Sequence, residues 1–269
     1  MARLRLLVGC LSFVALVAYS GLASSQAQAP AQGPLPPALL ECPDLAAALR
    51  AVVNNDARLR DWPQLARYRD ANRTATGTDV VFMGDSITDN WPQPRFGAFF
   101  PGKRYAGRGI SAQTTPQMLI RMRPDVIALA PKVVVILGGT NDIAGNTGPM
   151  TDEQIEGNLA SMAELASANG IRVVLSSITP VSHYHVASPN AAPQTTLRPP
   201  ARVRAINDWM RQYAASHKHV YLDYFSAMVD EAGLLRAELS GDDLHPNAPG
   251  YAIMAPLAET AIQRALAMK

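Results

Sequence analysis

Residues 79–86, with the sequence Asp-Val-Val-Phe-Met-Gly-Asp-Ser, decide the fold of this 269-residue chain. The apolar run at residues 80–83 predicts a short strand buried on both faces, and the glycine after it predicts a tight turn. Further strands are predicted, the last of them from a weaker pattern, at residues 133–137, 173–175, 220–222 and 103–106. Short apolar runs of this kind are typical of a parallel sheet that is covered by helices.

The segments between these runs have helical spacing. A capping box from Thr151 to Gln154 begins one helix, and Asn169-Gly170 ends it. A second helix is predicted from Val203 to about Tyr213, and a last one begins near Tyr251. Alternating strands and helices predict an α/β fold, a three-layer α/β/α sandwich with a five-stranded parallel sheet of the flavodoxin-like kind. In such sheets, ligands bind at the carboxyl ends of the strands.

The amino-terminal sequence has the pattern of a secretion signal, with two arginines, an apolar stretch and small residues up to position 29. An uncleaved anchor is the alternative, although the apolar stretch is shorter than a bilayer requires. Residues 30–40 are a proline-rich tether, residues 41–78 a helical lead-in packed on the main domain, and residues 79–269 the main domain. We therefore expect a secreted or periplasmic protein without a stable membrane span after signal cleavage.

Composition excludes other classes of function. The chain has 24 basic and 22 acidic residues, and removal of Arg3 and Arg5 with the leader leaves 22 of each and a formal charge of zero. Without a basic surface, nucleic acid is not expected as a partner. Of the two cysteines, only Cys42 lies outside the leader, so no intramolecular disulfide is expected.

Three polar motifs follow predicted strands. Residues 84–86 with Ser86 and residues 139–142 with Asn141 come directly after a strand, and residues 242–245 lie in the loop after the strand at 220–222. A parallel sheet would gather them at one edge. A serine attacks an acyl carbonyl only when a base takes its proton, and His245 has a suitable imidazole. Asp242 would orient that imidazole, and the carboxamide of Asn141 would donate to an oxyanion. Together these residue types point to a serine ester hydrolase.

Four sequence blocks resemble those of the SGNH hydrolases, also called GDSL esterases. They are residues 81–86, 109–111, 139–142 and 242–246, and the resemblance spans residues 79–266. It implies catalysis by Ser86, Asp242 and His245, with no metal or organic cofactor. It also implies an oxyanion hole made by the amides of Ser86 and residue 112 and the side chain of Asn141. Two positions depart from the family pattern, since Ala112 replaces a glycine and Gly107 stands where asparagine is frequent.

Several residues near these motifs have competing interpretations. Asp243 is the alternative to Asp242 as the acid, but the family pattern favours a spacing of three. Asp85 and Asp142 are interpreted as braces for their turns. His183 and His185 are interpreted as loop histidines near the cleft in preference to a metal pair, and selectivity is expected from the loop at residues 178–200. Two aromatic residues are equally compatible with a pocket wall and with the core: Trp91 and Phe96.

The expected substrate is a small-molecule, carbohydrate or lipid ester, with short acyl or acetyl esters favoured because Ala112 adds a methyl group near the acyl pocket. A lysophospholipase, thioesterase or acyltransferase of the same fold is the alternative within enzymes. A non-catalytic carbohydrate-binding envelope protein is the alternative outside them. The presence of Ser86, Asn141, Asp242 and His245 argues against it, because binding alone does not need that set.

Overall fold

Five short strands form one sheet in the computed structural model, which describes residues 47, 49, 50, 59–185, 188 and 191–268. The strands are β1 (Val80–Gly84), β2 (Tyr105–Gly109), β3 (Val133–Leu137), β4 (Arg172–Ser176) and β5 (Val220–Leu222). They pair in the order β2-β1-β3-β4-β5, and every pairing is parallel. The predicted five-stranded parallel sheet is thus confirmed. In this order the chain reverses direction across the sheet between β1 and β3, which is where ligands bind in doubly wound folds.

Ten helices in the part of Asp56–Lys269 that the structure describes accompany the sheet. They are α1 (Arg69–Thr74), α2 (Ser86–Asn90), α3 (Thr115–Ile120), α4 (Met122–Asp125), α5 (Thr140–Ile143), α6 (Asp152–Ala168), α7 (Gln194–Leu197), α8 (Pro200–Ser216), α9 (Phe225–Met228) and α10 (Ala248–Ala267). The predicted capping box is present at the start of α6, where the Thr151 side chain and backbone each pair with Gln154. The chain also contains single 3-10 turns at Pro94–Phe96, Ile127–Leu129 and Ala237–Leu239.

Alternate side chains of the central strands enter two separate cores, one on each face of the sheet. Val80, Phe82 and Val135 face a core that includes Met254 of α10. Val81 and Ile136 face the other core, which is completed by residues of α3, α6 and α8. Since β1 and β3 are buried along their whole length, both faces are covered. The result is the predicted α/β/α sandwich, whose polar chemistry is confined to the edges of the sheet.

The edge strand β2 is displaced from its predicted position at residues 103–106. It begins two residues later, at Tyr105, because its register pairs Tyr105 with Val80 and Gly109 with Gly84. An edge strand is only half covered, so its sequence lacks the apolar run that identified the inner strands. Lys103, which the sequence pattern included in the strand, instead forms an ion pair with Glu259.

Residues 59–78, the end of the lead-in, contact the main domain through polar groups. Asn72 of α1 accepts a bond from Nε of Arg108 at 2.7 Å and donates to Asp125 at 2.7 Å. The hydroxyl of Tyr68 donates to the backbone oxygen of Gly109. The predicted signal, the tether and Cys42 lie outside the described residues.

Candidate active site

The register of the sheet brings three predicted motifs to one edge. Gly84 pairs with Gly109 on one side and with Leu137 on the other, so the ends of β1, β2 and β3 lie side by side. The residues that follow these ends contain Ser86, Ala112 and Asn141. This is the carboxyl edge of the sheet, at the point where the strand order reverses.

Ser86 lies in a tight turn between β1 and α2, and it is the first residue of α2. Asp85 caps the helix, because its carboxylate accepts the N–H of Ile87 at 3.0 Å. Gly109 permits this turn, since a Cβ at Gly109 would lie 2.7 Å from the Asp85 carbonyl and closer still to the backbone of α2. The first amides of a helix have no partner inside it, so the N–H of Ser86 is available as a donor.

A chain of hydrogen bonds joins Ser86 to the loop before α10. Oγ of Ser86 lies 2.9 Å from Nε2 of His245, and Nδ1 of His245 lies 2.6 Å from Oδ2 of Asp242. A carboxylate only accepts, so Nδ1 of His245 carries the proton and Nε2 is left to accept the hydroxyl of Ser86. The structure thus brings together the three residues that the sequence motifs selected, although Ser86 and His245 are 159 positions apart.

Local backbone bonds hold Asp242 in position. Its Oδ1 accepts the backbone N–H of His245 at 2.7 Å and that of Leu244 at 3.1 Å. Partial burial of Asp242 opposes ionisation, but the bonds from the His245 side chain and backbone outweigh it and hold the pKa of Asp242 below its usual value. The carboxylate therefore remains charged and able to orient the imidazole.

Asp243, the competing acid, faces away from His245. Its carboxylate accepts Oγ of Ser182 at 2.6 Å and the backbone N–H groups of Tyr184 and His185 at 2.9 and 2.7 Å. It also contacts Nδ1 of His185 at 3.1 Å. Asp243 is 2% exposed and has φ of +66°, so the chain turns sharply between two adjacent aspartates. Asp243 binds the loop after β4 to the loop that holds Asp242.

Asn141 is buried at the start of α5 and is joined to the turn after β2. Its Nδ2 donates to the backbone oxygen of Gln113 at 2.9 Å. Asp142, which follows it, accepts the backbone N–H and the hydroxyl of Thr115, with Oδ1 2.9 and 2.5 Å away. The two neighbours therefore have separate tasks, because Asp142 binds α3 and Asn141 faces the turn of residues 110–113.

Ala112 occupies the third position of that turn, which is closed by a bond from Gln113 N–H to the Ile110 oxygen at 3.3 Å. Its φ is +65°, a conformation that favours glycine and costs alanine about 1 kcal/mol. The turn is held from outside by Asp89, which accepts the backbone N–H and the hydroxyl of Ser111 at 3.1 and 2.7 Å. The substitution of alanine for glycine therefore leaves the left-handed turn in place.

Asp85 is a buried carboxylate directly before Ser86. Burial raises its pKa to about 6, although the bond from Ile87 and the nearby imidazole of His245 favour the charged form. Oδ2 of Asp85 has no hydrogen-bond partner among the described residues. The predicted bracing role of Asp85 fits its cap on α2, and its ionisation is expected to reduce stability.

Two buried arginines at this edge escaped the sequence motifs. Arg121, between α3 and α4, is fully buried and donates to the backbone oxygens of Gly84 and Arg108, each at 2.7 Å. Arg198 donates to Thr140 and contacts Oδ1 of Asn141. Neither arginine belongs to a short motif, and a lone arginine in an amphipathic segment is typical of a solvated surface. The sequence therefore contained no signal that distinguishes them.

The remaining candidates have ordinary surroundings. Trp91 is 4% exposed and packs against Phe82 and Tyr251, so it belongs to the core. Phe96 packs on Tyr251 with part of its surface exposed. His183 contacts the hydroxyl of Thr195 at 3.2 Å. Within the described ranges, no cluster of three or more histidine, cysteine or acidic side chains is arranged to hold a metal ion.

Among the described residues, no helix combines the length and the apolar character that a membrane crossing requires.

Comparison with known proteins places this geometry in a family. Residues 82–253 match the model of the GDSL-like lipase/acylhydrolase family. A proposed acylhydrolase from Bacteroides fragilis is 37% identical, with a TM-score of 0.69, over 76% of this chain and 98% of that one. A GDSL-like lipase from Bacteroides thetaiotaomicron is 38% identical, with a TM-score of 0.68 and the same two coverages.

A more distant structure shares the fold. The acetylxylan esterase Axe2 from Geobacillus stearothermophilus is 22% identical to this chain, with a TM-score of 0.55 over 70% of this chain and 95% of that one. No curated protein matches the sequence.

Proposed function

This chain belongs to the GDSL-like lipase/acylhydrolase family of ester hydrolases, and we propose that it cleaves short acyl esters through an acyl-enzyme on Ser86. The observation that carries the proposal is the chain of hydrogen bonds from Ser86 through His245 to Asp242, with heavy-atom distances of 2.9 and 2.6 Å. Both distances lie within the range required for proton transfer between a nucleophile and its base.

The proposed reaction has two steps. His245 Nε2 accepts the proton of Ser86 as Oγ attacks the acyl carbon, and it then gives this proton to the oxygen of the departing alcohol. Water next attacks the acyl-enzyme, again with His245 as the base, and the carboxylic acid and free Ser86 are released. Asp242 remains ionised throughout and stabilises the imidazolium, consistent with its lowered pKa.

The negative oxygen of the tetrahedral intermediate is proposed to be bound by the N–H of Ser86, the N–H of Ala112 and Nδ2 of Asn141. Ser86 begins a helix and is 7% exposed, and Asn141 is 3% exposed, so these two donors act with little competition from water. Ala112 holds its amide in a left-handed turn. No metal or organic cofactor takes part in the proposed reaction.

The substrate class is proposed to be an acetyl or other short acyl ester, including O-acetyl groups on carbohydrate. The methyl group of Ala112, absent from a glycine, adds bulk to the turn that would face the acyl group. The acetylxylan esterase that shares the fold acts on an ester of this class. Export to the periplasm or medium is proposed from the signal pattern in residues 1–29.

Hydrolysis of p-nitrophenyl acetate, butyrate and octanoate by the wild-type protein and by Ser86→Ala tests the proposal. Loss of the nucleophile from a triad costs roughly a millionfold in kcat, so Ser86→Ala is expected to retain almost no activity. Ser226→Ala is the matched control, because the hydroxyl of Ser226 is also hydrogen-bonded, donating to Asp223 at 2.7 Å, but Ser226 lies after β5 and does not contact His245. Ser226→Ala should hydrolyse esters at the wild-type rate.

Each other outcome identifies an alternative. Faster hydrolysis of octanoate than of acetate would overturn the short-chain assignment in favour of a lipase or lysophospholipase, and faster cleavage of a thioester would favour a thioesterase. Accumulation of an ester product with added alcohol would indicate an acyltransferase. Equal rates for the wild type and Ser86→Ala would overturn the proposed nucleophile, and sugar binding that Ser86→Ala leaves intact, without hydrolysis, would favour a binding protein.

A further inference from the structure

Arg198 is a buried cation beside the candidate site that the proposed mechanism does not use. It is 5% exposed and lies directly after α7, at the end of the long loop that follows β4. A buried arginine loses its hydration and is retained only where its N–H groups find acceptors. The acceptors of Arg198 therefore indicate its task.

Three of these acceptors belong to the first two residues of α5. Nε of Arg198 donates to the backbone oxygen of Thr140 at 3.1 Å and to its hydroxyl at 2.9 Å, and Nη2 contacts Oδ1 of Asn141 at 3.4 Å. Nη1 donates to the side-chain oxygen of Gln194 in the preceding turn. The guanidinium thus connects the loop after β4 to the helix start that presents Asn141.

These contacts determine how the carboxamide of Asn141 is oriented. A guanidinium has only donors, so the atom facing Arg198 must be the oxygen of Asn141. At the other end, the backbone oxygen of Gln113 only accepts, so the atom 2.9 Å from it must be the nitrogen. A flipped carboxamide would place two donors together at Arg198 and two oxygens together at Gln113. With one N–H of Asn141 bound to Gln113, the other remains for an oxyanion.

The charge of Arg198 adds to this orientation. A cation beside the carboxamide oxygen polarises the group and makes its N–H bonds better donors. Burial lowers the pKa of Arg198, while the nearby carboxylates of Asp85 and Asp242 favour its charged form. The contact to Asn141 is long for a hydrogen bond, so orientation and charge contribute more than a strong bond does.

We infer that Arg198 is a positioning residue, which fixes the carboxamide of Asn141 with its free N–H directed at the acyl oxygen of the ester. The inference rests on the proposed function and extends it to a residue that does not touch the substrate. Since Arg198 acts through Asn141, its removal is expected to affect the transition state and not the binding of the ester.

A double-mutant cycle tests the inference. The kcat and KM for p-nitrophenyl acetate are measured for the wild type, Arg198→Met, Asn141→Ala and the double variant. Loss of one oxyanion donor costs about 100- to 1,000-fold in kcat, and a misoriented donor is expected to cost part of that, about 10- to 100-fold, in Arg198→Met with KM within about twofold. In the Asn141→Ala background, Arg198→Met should lower kcat by less than about threefold.

Two further variants keep the result interpretable. Arg198→Lys keeps the charge but loses the planar fork, so it is expected to recover part of kcat in the wild-type background and to change little beside Asn141→Ala. Arg202→Met is the matched control. Arg202 lies four residues after Arg198 and bonds Asp152 at 2.6 Å and the backbone oxygen of Met150. The substitution should reduce thermal stability and leave kcat unchanged.

Equal loss of kcat from Arg198→Met with and without Asn141 would overturn the inference, and so would a wild-type kcat in Arg198→Met. If Arg198→Met does not fold, Arg198→Lys in the two backgrounds decides by the same criterion. Failure of the proposed function is recognised separately, because Ser86→Ala would then hydrolyse the ester as fast as the wild type.

Discussion

A group of polar residues at the carboxyl edge of the sheet and a group of ion pairs at its amino edge have opposite surroundings. At the carboxyl edge, Asp85, Asn141 and Arg198 are at most 5% exposed. At the amino edge, Asp79 pairs with Arg104 and Lys132, whose side chains are 64% and 62% exposed. The same strands connect both edges, so the difference arises from the loops that cover one edge and leave the other in water.

This difference shows at which edge the burial of polar groups reduces the stability of the fold. Exposed ion pairs keep most of their hydration and contribute little to stability, whereas buried polar groups lose hydration and reduce stability where a donor or acceptor is left without a partner, as at Oδ2 of Asp85. At the carboxyl edge the bonds connect separate loops, as when Asp243 binds the loop after β4 and Asn141 binds the turn after β2. Donors and acceptors fixed in advance in this way are what stabilisation of a developing charge requires.

The largest effect is expected on kcat, from substitution of Asp242. Asp242→Asn retains the size of the side chain but removes the acceptor that holds the proton on Nδ1 of His245, so the wrong tautomer faces Ser86. In a serine protease triad the same change lowers kcat by roughly 10⁴-fold, and a similar loss is expected in p-nitrophenyl acetate hydrolysis here. Asp223→Asn, at the same edge after β5, should leave kcat unchanged. A loss below about tenfold in Asp242→Asn would contradict the role proposed for this carboxylate.

A smaller effect, on the pH dependence of stability, is expected from the buried charge of Asp85. Its pKa of about 6 lies above the ordinary value of 3.8, so the native state binds the proton more tightly than the unfolded chain does. Stability is therefore highest below about pH 4 with respect to this group and falls as pH rises towards 6, by ~3 kcal/mol in total. Asparagine still caps α2 and has no charge, so Asp85→Asn should lack this fall.

Urea unfolding of the wild type and of Asp85→Asn between pH 4 and pH 7.5 measures this difference. The free energy of unfolding of Asp85→Asn relative to the wild type is expected to increase between pH 4 and pH 7 and to remain level above it. A difference that does not depend on pH would show that burial of Asp85 does not penalise its ionised form. Glu153→Gln, a fully exposed position in the first turn of α6, is a control for general effects of charge removal.

The sequence predicted the inner sheet and the spacing of the site residues because both depend on local patterns. Strands such as Val133–Leu137 are buried on both faces and are therefore apolar throughout, and the compact spacing of Asp242 and His245 lets one loop hold both. The edge strand β2 was misplaced because an edge strand does not need an apolar run. Local patterns thus identify residues whose burial or position is determined by the strand or loop to which they belong.

Two buried arginines, whose partners lie far away in the chain and which belong to no short motif, were not predicted. Arg198 bonds Thr140 and Asn141 across 58 and 57 positions, and Arg121 bonds the Gly84 oxygen across 37. Nothing in their immediate sequence distinguishes them from surface arginines, because burial of a long side chain depends on tertiary packing. The structure also assigns Trp91 to the core, where the sequence was equally compatible with a pocket wall.

The smallest effect, on the free energy of unfolding, is expected at the amino edge, in Asp79→Asn. The carboxylate of Asp79 accepts Nε and Nη2 of Arg104 at 2.8 and 3.0 Å and contacts Nζ of Lys132 at 3.0 Å, and Lys132 and then Arg104 hold the pKa of Asp79 below its usual value. Because both cations are largely exposed, the loss should be below about 1 kcal/mol in the free energy of unfolding at neutral pH.

The loss of stability in Asp79→Asn should shrink as pH falls below about 4, where the carboxylate is protonated in the unfolded chain and then in the native protein. It should also shrink with added salt. The kcat of Asp79→Asn should equal that of the wild type, since β1 separates Asp79 from Ser86 by its full length. A loss of kcat in Asp79→Asn that thermal unfolding does not explain would mean that the two edges are coupled through β1. The buried network at the carboxyl edge would then depend on ion pairs that its own loops do not contact.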